Sequence, residues 1–232
     1  MAGDESGWAE SMSGAPAILR FGLVLLLAFT GCQKHSSSSE PASAVRVPSP
    51  STEWPIPHDA APQLKPLLAS AIEQTGITTG YDPAYVSLAY PGGDVPPETG
   101  VCSDVIVRAF RKAGIDLQKE VHEDMTAASS AYPQRWGNAR PDSNIDHRRV
   151  LNLMTFFQRR GKALPTTMTR DDYLPGDIVA WDLGGGVPHI GIVSNQPTES
   201  PKHFLIIHNI GAGARAEDVL FNWKITGHYR YF

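Results

Sequence analysis

From residue 64 to residue 160 the apolar positions recur at helical spacing, and beyond residue 177 they switch to alternation. Leu64, Leu67, Leu68, Ala71 and Ile72 predict a first helix that Gly76 ends. Cys102, Val105, Ile106, Ala109, Phe110 and Ala113 mark a second, with Arg108, Arg111 and Lys112 on its other faces and Gly114 as its C-cap. Residues 117–130 and 150–160 read as a third and a fourth helix, separated by a long loop, 132–149, that Pro133, Gly137 and Pro141 keep irregular. After the turn signal Pro175-Gly176-Asp177, residues 178–183 and 189–194 form a hairpin across three glycines, and 204–209 and 229–232 add two strands. The pattern predicts an α+β domain in which N-terminal helices pack on one mostly antiparallel sheet.

The first third of the chain follows other rules. Residues 21–30 form an apolar run of ten, too short to span a bilayer and of the right length for a secretory signal. Gly31 and Cys32 close it as in the lipobox of bacterial lipoproteins, although Phe29 stands where that box usually has Leu. Asp4, Glu5 and Glu10 are foreign to a signal's first segment; translation from Met12 removes all three and leaves Arg20 as the only charge before the apolar run. Three segments are therefore expected: a lipoprotein signal peptide over 1–31, a Ser/Pro-rich tether over 32–62, and a folded domain over 63–232. Cys32 becomes the lipidation site, and Gln33 after it points to the outer membrane. A plain signal peptide with an incidental cysteine is the alternative.

Composition narrows the function. The 232 residues carry a net charge of −4, without the basic balance of a nucleic-acid binder. No phosphate-binding loop is present, so nucleotide chemistry is not expected, and nothing in the sequence calls for a cofactor. Two cysteines exclude a disulfide-dense scaffold and a four-cysteine zinc site.

A buried helical cysteine is by default a small apolar side chain. Cys102, however, sits in the first turn of its helix, where the positive end of the dipole favours thiolate, and Gly100 before it permits a sharp turn and leaves room for a substrate. A nucleophilic cysteine needs a histidine, itself oriented by a third group. Of eight histidines, His35 and His58 lie in the tether, His122 reads as a solvated helix residue, and His203 and His228 open strands. His189 begins a strand with Gly191 on its own face, and His208 ends the next one; if these strands pair, the two rings become neighbours.

The order of these features is similar to the NlpC-type cell-wall peptidases of the papain-like superfamily: a cysteine at a helix start, PGD before a strand, HIGIV, then a polar residue on the following strand. More closely, YDPAYVSLAYPGGDVP, GVCSDVIVRAFR, VHEDM, RPDSNIDHRRV, IHNIGAGA, EDVLFNW and GHYRYF resemble the bacterial family catalogued as domain of unknown function DUF1287, over about residues 64–232. One departure stands out: Val101-Cys102-Ser103-Asp104 replaces the usual Asp-Cys-Ser-Gly.

The superfamily resemblance implies a papain-like fold and a cysteine amidase or peptidase whose substrate partner is a peptidoglycan peptide, held in the periplasmic cell envelope by a lipid anchor. It implies Cys102 as nucleophile, His189 as base, and His208, or else Asn209, as the orienting group. Tyr90 with the upstream glycines is the oxyanion candidate. Asp104, Asp146, His147, Arg148 and Arg149 are candidates for binding the substrate's carboxylates, with an ordinary solvated loop as the alternative. Trp136 and Trp223 are read as core residues or groove walls. Two other classes stay open: a zinc hydrolase using the Cys102, His189 and His208 set, and a non-catalytic wall-binding module.

Overall fold

Among the described residues, four α-helices and six strands follow one another in the order the hydrophobic pattern predicts, with two added strands. In the computed structural model, which describes residues 53–135, 140–199 and 203–232, the helices are α1 (Leu64–Ile77), α2 (Cys102–Lys112), α3 (Leu117–Ala127) and α4 (Val150–Arg159). The strands are β1 (Ala163–Leu164), β2 (Ile178–Asp182), β3 (Pro188–Pro197), β4 (Phe204–Asn209), β5 (Ala214–Glu217) and β6 (Lys224–Tyr229). They form one sheet in the order β1-β6-β2-β3-β4-β5, with every pairing antiparallel. The signal segment, Cys32, most of the tether and Trp136 lie outside the described residues.

Period-two alternation divides the sheet into two apolar faces. Ile178, Ala180, Ile190, Ile192 and Ile207 pack with the buried stripes of the helices, including Val105, Ile106, Ala109 and Phe110 of α2. Burying each of the larger of these side chains stabilises the fold by about 1.5–3 kcal/mol, so the helix layer is held chiefly by this face. Val179, Trp181, Val193 and Ile206 point the other way, under a smaller cover from Tyr173, Val219 and Leu220. Because both faces of the central strands are covered, β2 reads as a continuous apolar run, IVAW.

Two expectations need correction. The last strand is Lys224–Tyr229, not 229–232; the final residues instead place the Tyr231 and Phe232 rings against Phe110, at centroid distances of 5.2 and 5.8 Å. The folded unit also begins before residue 63. The Trp54 N–H donates to the Asn195 carbonyl (2.9 Å), Asn195 Nδ2 returns a bond to the Trp54 carbonyl (3.1 Å), and the indole meets Phe204 edge-on at 6.0 Å. One large aromatic side chain anchors a stretch whose Ser/Pro composition reads as unfolded. Among the described residues no helix is long and apolar enough to cross a membrane.

Candidate active site

Cys102 is the first residue of α2 and only 5% exposed. The turn before it is built by two side chains. The Asp104 carboxylate accepts the Val101 N–H (2.7 Å), one of the donors a helix start leaves unpaired. Gly100 has φ +149°, and a Cβ there would lie 2.9 Å from Asp104 Oδ2. The glycine thus makes room for Asp104, not for a substrate. Asn209 Nδ2 donates to the carbonyls of Gly80 and Gly100, each at 3.0 Å, which fastens two loops beside the nucleophile to the end of β4. The Asn209 side chain is spent on these carbonyls and on the Gly211 N–H, and of the two orienting candidates it is His208 that bonds the His189 ring.

Burial pushes the Cys102 thiol up to about 12, and the negative charge of Asp104 adds to this. The N–H groups of Ile190, Ser103 and Cys102 favour the thiolate, but burial outweighs them. The helix start therefore does not by itself ionise the sulfur, contrary to the expectation from its position. The Ile190 N–H that bonds the sulfur belongs to the residue directly after His189 in β3, so the thiol lies against the backbone that carries the imidazole.

His189 Nε2 lies 2.8 Å from His208 Nδ1, and His208 Nε2 lies 2.9 Å from Glu217 Oε2. The register explains the line. In the β4–β5 pairing His208 stands opposite Arg215 and Ile206 opposite Glu217, so Glu217 is the diagonal neighbour of His208 on the same face. Gly191 keeps that face open: a Cβ there would come within 2.8 Å of Ile206 Cγ2 and 3.1 Å of His208 Cβ. Trp223 caps both imidazoles edge-on, at centroid distances of 6.2 and 6.3 Å, which makes it a wall of the site. Burial, with the neighbouring His208, pushes His189 down to about 3. His208 is also lowered by burial, although Glu217 opposes the shift.

Tyr81, missed in the sequence where Tyr90 matched the expected spacing, is the tyrosine on which the Cys102 sulfur acts electrostatically. Burial raises the Tyr81 hydroxyl, and the charges of Cys102 and Asp104 raise it further. Tyr90 instead sets its ring edge-on to His122 at 5.2 Å, and the charges it feels are Glu123 and Asp116.

The substrate-binding candidates turn inward. Arg148 and Asp104 form a bidentate pair, with Arg148 also donating to the Ala84 carbonyl (2.8 Å) and the Asp82 carbonyl (3.1 Å). Asp146 is buried and accepts the Asp142 N–H (2.6 Å) and a contact from His122 Nδ1 (3.2 Å). His147 is buried and pushed down to about 4 by burial, with the charges of Arg148 and Arg111 adding to this. Arg149 is half-buried, and its charge acts on Asp142. Arg148 and Asp104 thus brace the loop over 81–91 against the start of α2, and Asp146 and His147 are buried instead of presenting a free surface to solvent. The zinc reading gains no support, because both His208 nitrogens are bonded within the protein, to His189 and Glu217.

An α+β fold with a buried cysteine at a helix start, bonded by the backbone next to a histidine pair on the sheet, is the setting in which the comparisons with known proteins fall. The profile described as domain of unknown function DUF1287 matches residues 68–231, and the chain belongs to that family. The uncharacterized protein YijF of Escherichia coli is 59% identical over 162 residues, 70% of this chain and 78% of that protein. Among solved structures, a Staphylococcus aureus protein described as similar to lipoprotein, of the NLP/P60 family, aligns with 78% of this chain at 13% identity and a TM-score of 0.35. This chain spans 44% of that one, and the likeness is too loose to define a shared fold.

Proposed function

We propose that this chain is a cysteine amidase or peptidase of papain-like type, acting on peptidoglycan peptides through a thioester. The observation that carries the reading is the line from His189 through His208 to Glu217, beginning at the residue whose neighbour, Ile190, gives its N–H to the Cys102 sulfur. Sulfur attacks the amide carbon, its proton passes to His189, and the carbonyl π pair moves to oxygen. Collapse of that oxyanion expels the amine, which takes the proton back from His189. Water, deprotonated by the same imidazole, then cleaves the thioester to a carboxylic acid and restores the thiol. Tyr81 and the N–H groups at the start of α2 are assigned as the donors for the developing oxyanion. Because the resting thiol is protonated, proton removal coincides with attack instead of preceding it.

The substrate rests on the resemblance to NlpC-type wall peptidases, and the location, a periplasmic lipoprotein anchored at Cys32 in the outer membrane, on the signal segment. A second reading, a wall-binding module that holds such a peptide uncut, draws on the same buried, protonated thiol.

Mass-spectrometric comparison of peptidoglycan fragments before and after incubation separates the two. New amines and shortened stem peptides are expected with the native chain and none with Cys102→Ala of unchanged circular dichroism. Equal release by both proteins removes the mechanism, and binding without release by the native chain establishes the second reading.

A further inference from the structure

Three strands contribute one polar side chain each to the same face of the sheet: His189 from β3, His208 from β4 and Glu217 from β5. Their hydrogen bonds form an unbranched line, with 2.8 Å between the imidazoles and 2.9 Å from the second imidazole to the carboxylate. Such a line restricts where protons sit. An ionised carboxylate only accepts hydrogen bonds, and a neutral imidazole has one donor and one acceptor nitrogen. Glu217 therefore requires a proton on His208 Nε2. His208 Nδ1 is then an acceptor, so the proton of His189 must sit on Nε2 to fill the 2.8 Å contact. This leaves His189 Nδ1 with a free lone pair.

We propose that Glu217 is a positioning residue that sets the tautomers of both histidines, so that His189 presents Nδ1, unprotonated, as the base for the Cys102 thiol. The inference rests on the proposed hydrolase reading for its consequence, but the tautomers themselves do not depend on it. When Nδ1 takes the thiol proton, the Nε2–H of the resulting imidazolium still points at the lone pair of His208 Nδ1. The charge is thereby stabilised without a second proton transfer along the line. The burial that holds both rings neutral at pH 7 is what makes the donor–acceptor alternation strict. Arg215, opposite His208 in the β4–β5 register, is a further charged residue on this face. With no acceptor at position 217, His208 is free to take the opposite tautomer. His189 then carries its proton on Nδ1 and loses its lone pair toward the sulfur.

The test is long-range proton–nitrogen correlation NMR on the full chain with nitrogen-15-labelled histidine near neutral pH, alongside steady-state hydrolysis. In the native chain both His189 and His208 should show protonated Nε2 and bare Nδ1. Glu217, with 39% of its side chain exposed, is removable without a cavity. Glu217→Ala should move a large share of His208 to the Nδ1–H form and lower kcat on the order of 10²-fold at little-changed KM. Glu217→Gln, which keeps an acceptor oxygen, should retain much of the native spectrum and part of the rate. A native spectrum with either ring protonated at Nδ1, or one unchanged in Glu217→Ala, overturns the proposal. The expected spectra in a chain that cleaves nothing leave it standing and remove the hydrolase reading alone.

Discussion

Arg148 Nε lies 3.0 Å from Asp104 Oδ1 and Nη2 3.1 Å from Oδ2, with 2% and 3% of the two side chains exposed. This pair joins α2, two residues past the nucleophile, to the loop over 81–91, because the same guanidinium donates to the carbonyls of Asp82 and Ala84. Removing one member leaves the other charge buried and unpaired. Arg148→Ala should lower unfolding stability by about 3 kcal/mol or more, and Asp104→Asn combined with Arg148→Met by clearly less than the sum of the single changes. Denaturant titration measures both; a loss below about 1 kcal/mol for Arg148→Ala would show that the pair is not structural.

The thiol offers a direct check on burial. With its pKa pushed from 9.0 to about 12, Cys102 should react with iodoacetamide near pH 7 on the order of 10³-fold more slowly than an unperturbed thiol. Following mass gain with time gives the rate. Reaction as fast as free cysteine would mean that the helix start and His189 override burial and hold a thiolate.

Tyr81 and Tyr90 separate by function. Tyr81→Phe should reduce amide hydrolysis by roughly 10- to 100-fold if its hydroxyl faces the oxyanion, whereas Tyr90→Phe should leave the rate unchanged. Parallel kcat and KM measurements decide it, and equal effects at the two positions would remove the assignment.

Stability should depend on pH above the carboxylate range. His189 and His147 are depressed from 6.5 to about 3 and about 4, so between those values and 6.5 the unfolded chain binds more protons than the folded one. Stability is therefore fully present above pH 6.5 and is lost as pH falls. At pH 4.5 the two groups together should remove roughly 5 kcal/mol relative to pH 7, and His208, also depressed, adds to the loss. Asp146, raised by burial, acts in the opposite sense. Urea midpoints at pH 7 and pH 4.5 test the direction, and substituting His147 by Gln should flatten the slope.

The four helices, the β2–β3 hairpin and the shared face of His189 and Gly191 were legible in the sequence, because periods of 3.6 and 2 follow from local backbone geometry. β5 was not. Ala214–Glu217 has no β-branched residue and only four positions, and it becomes a strand by pairing with β4. Glu217 accordingly looked like any surface acid.

What the sequence determined by itself was which side chains stand at element ends: Cys102 at a helix start, and His189 and His208 on strands able to pair. Tertiary structure decided what each of them faces. Arg148, 44 residues from Asp104, neutralises the acid that replaces the usual glycine, so the loop that looked like a substrate surface is a brace. Burial turns the helix-start thiol into a protonated one, and strand register attaches a carboxylate to the histidine pair. Solvent exclusion and cross-strand register arise only when distant segments pack, and hydrogen-bond partners and ionisation state depend on both.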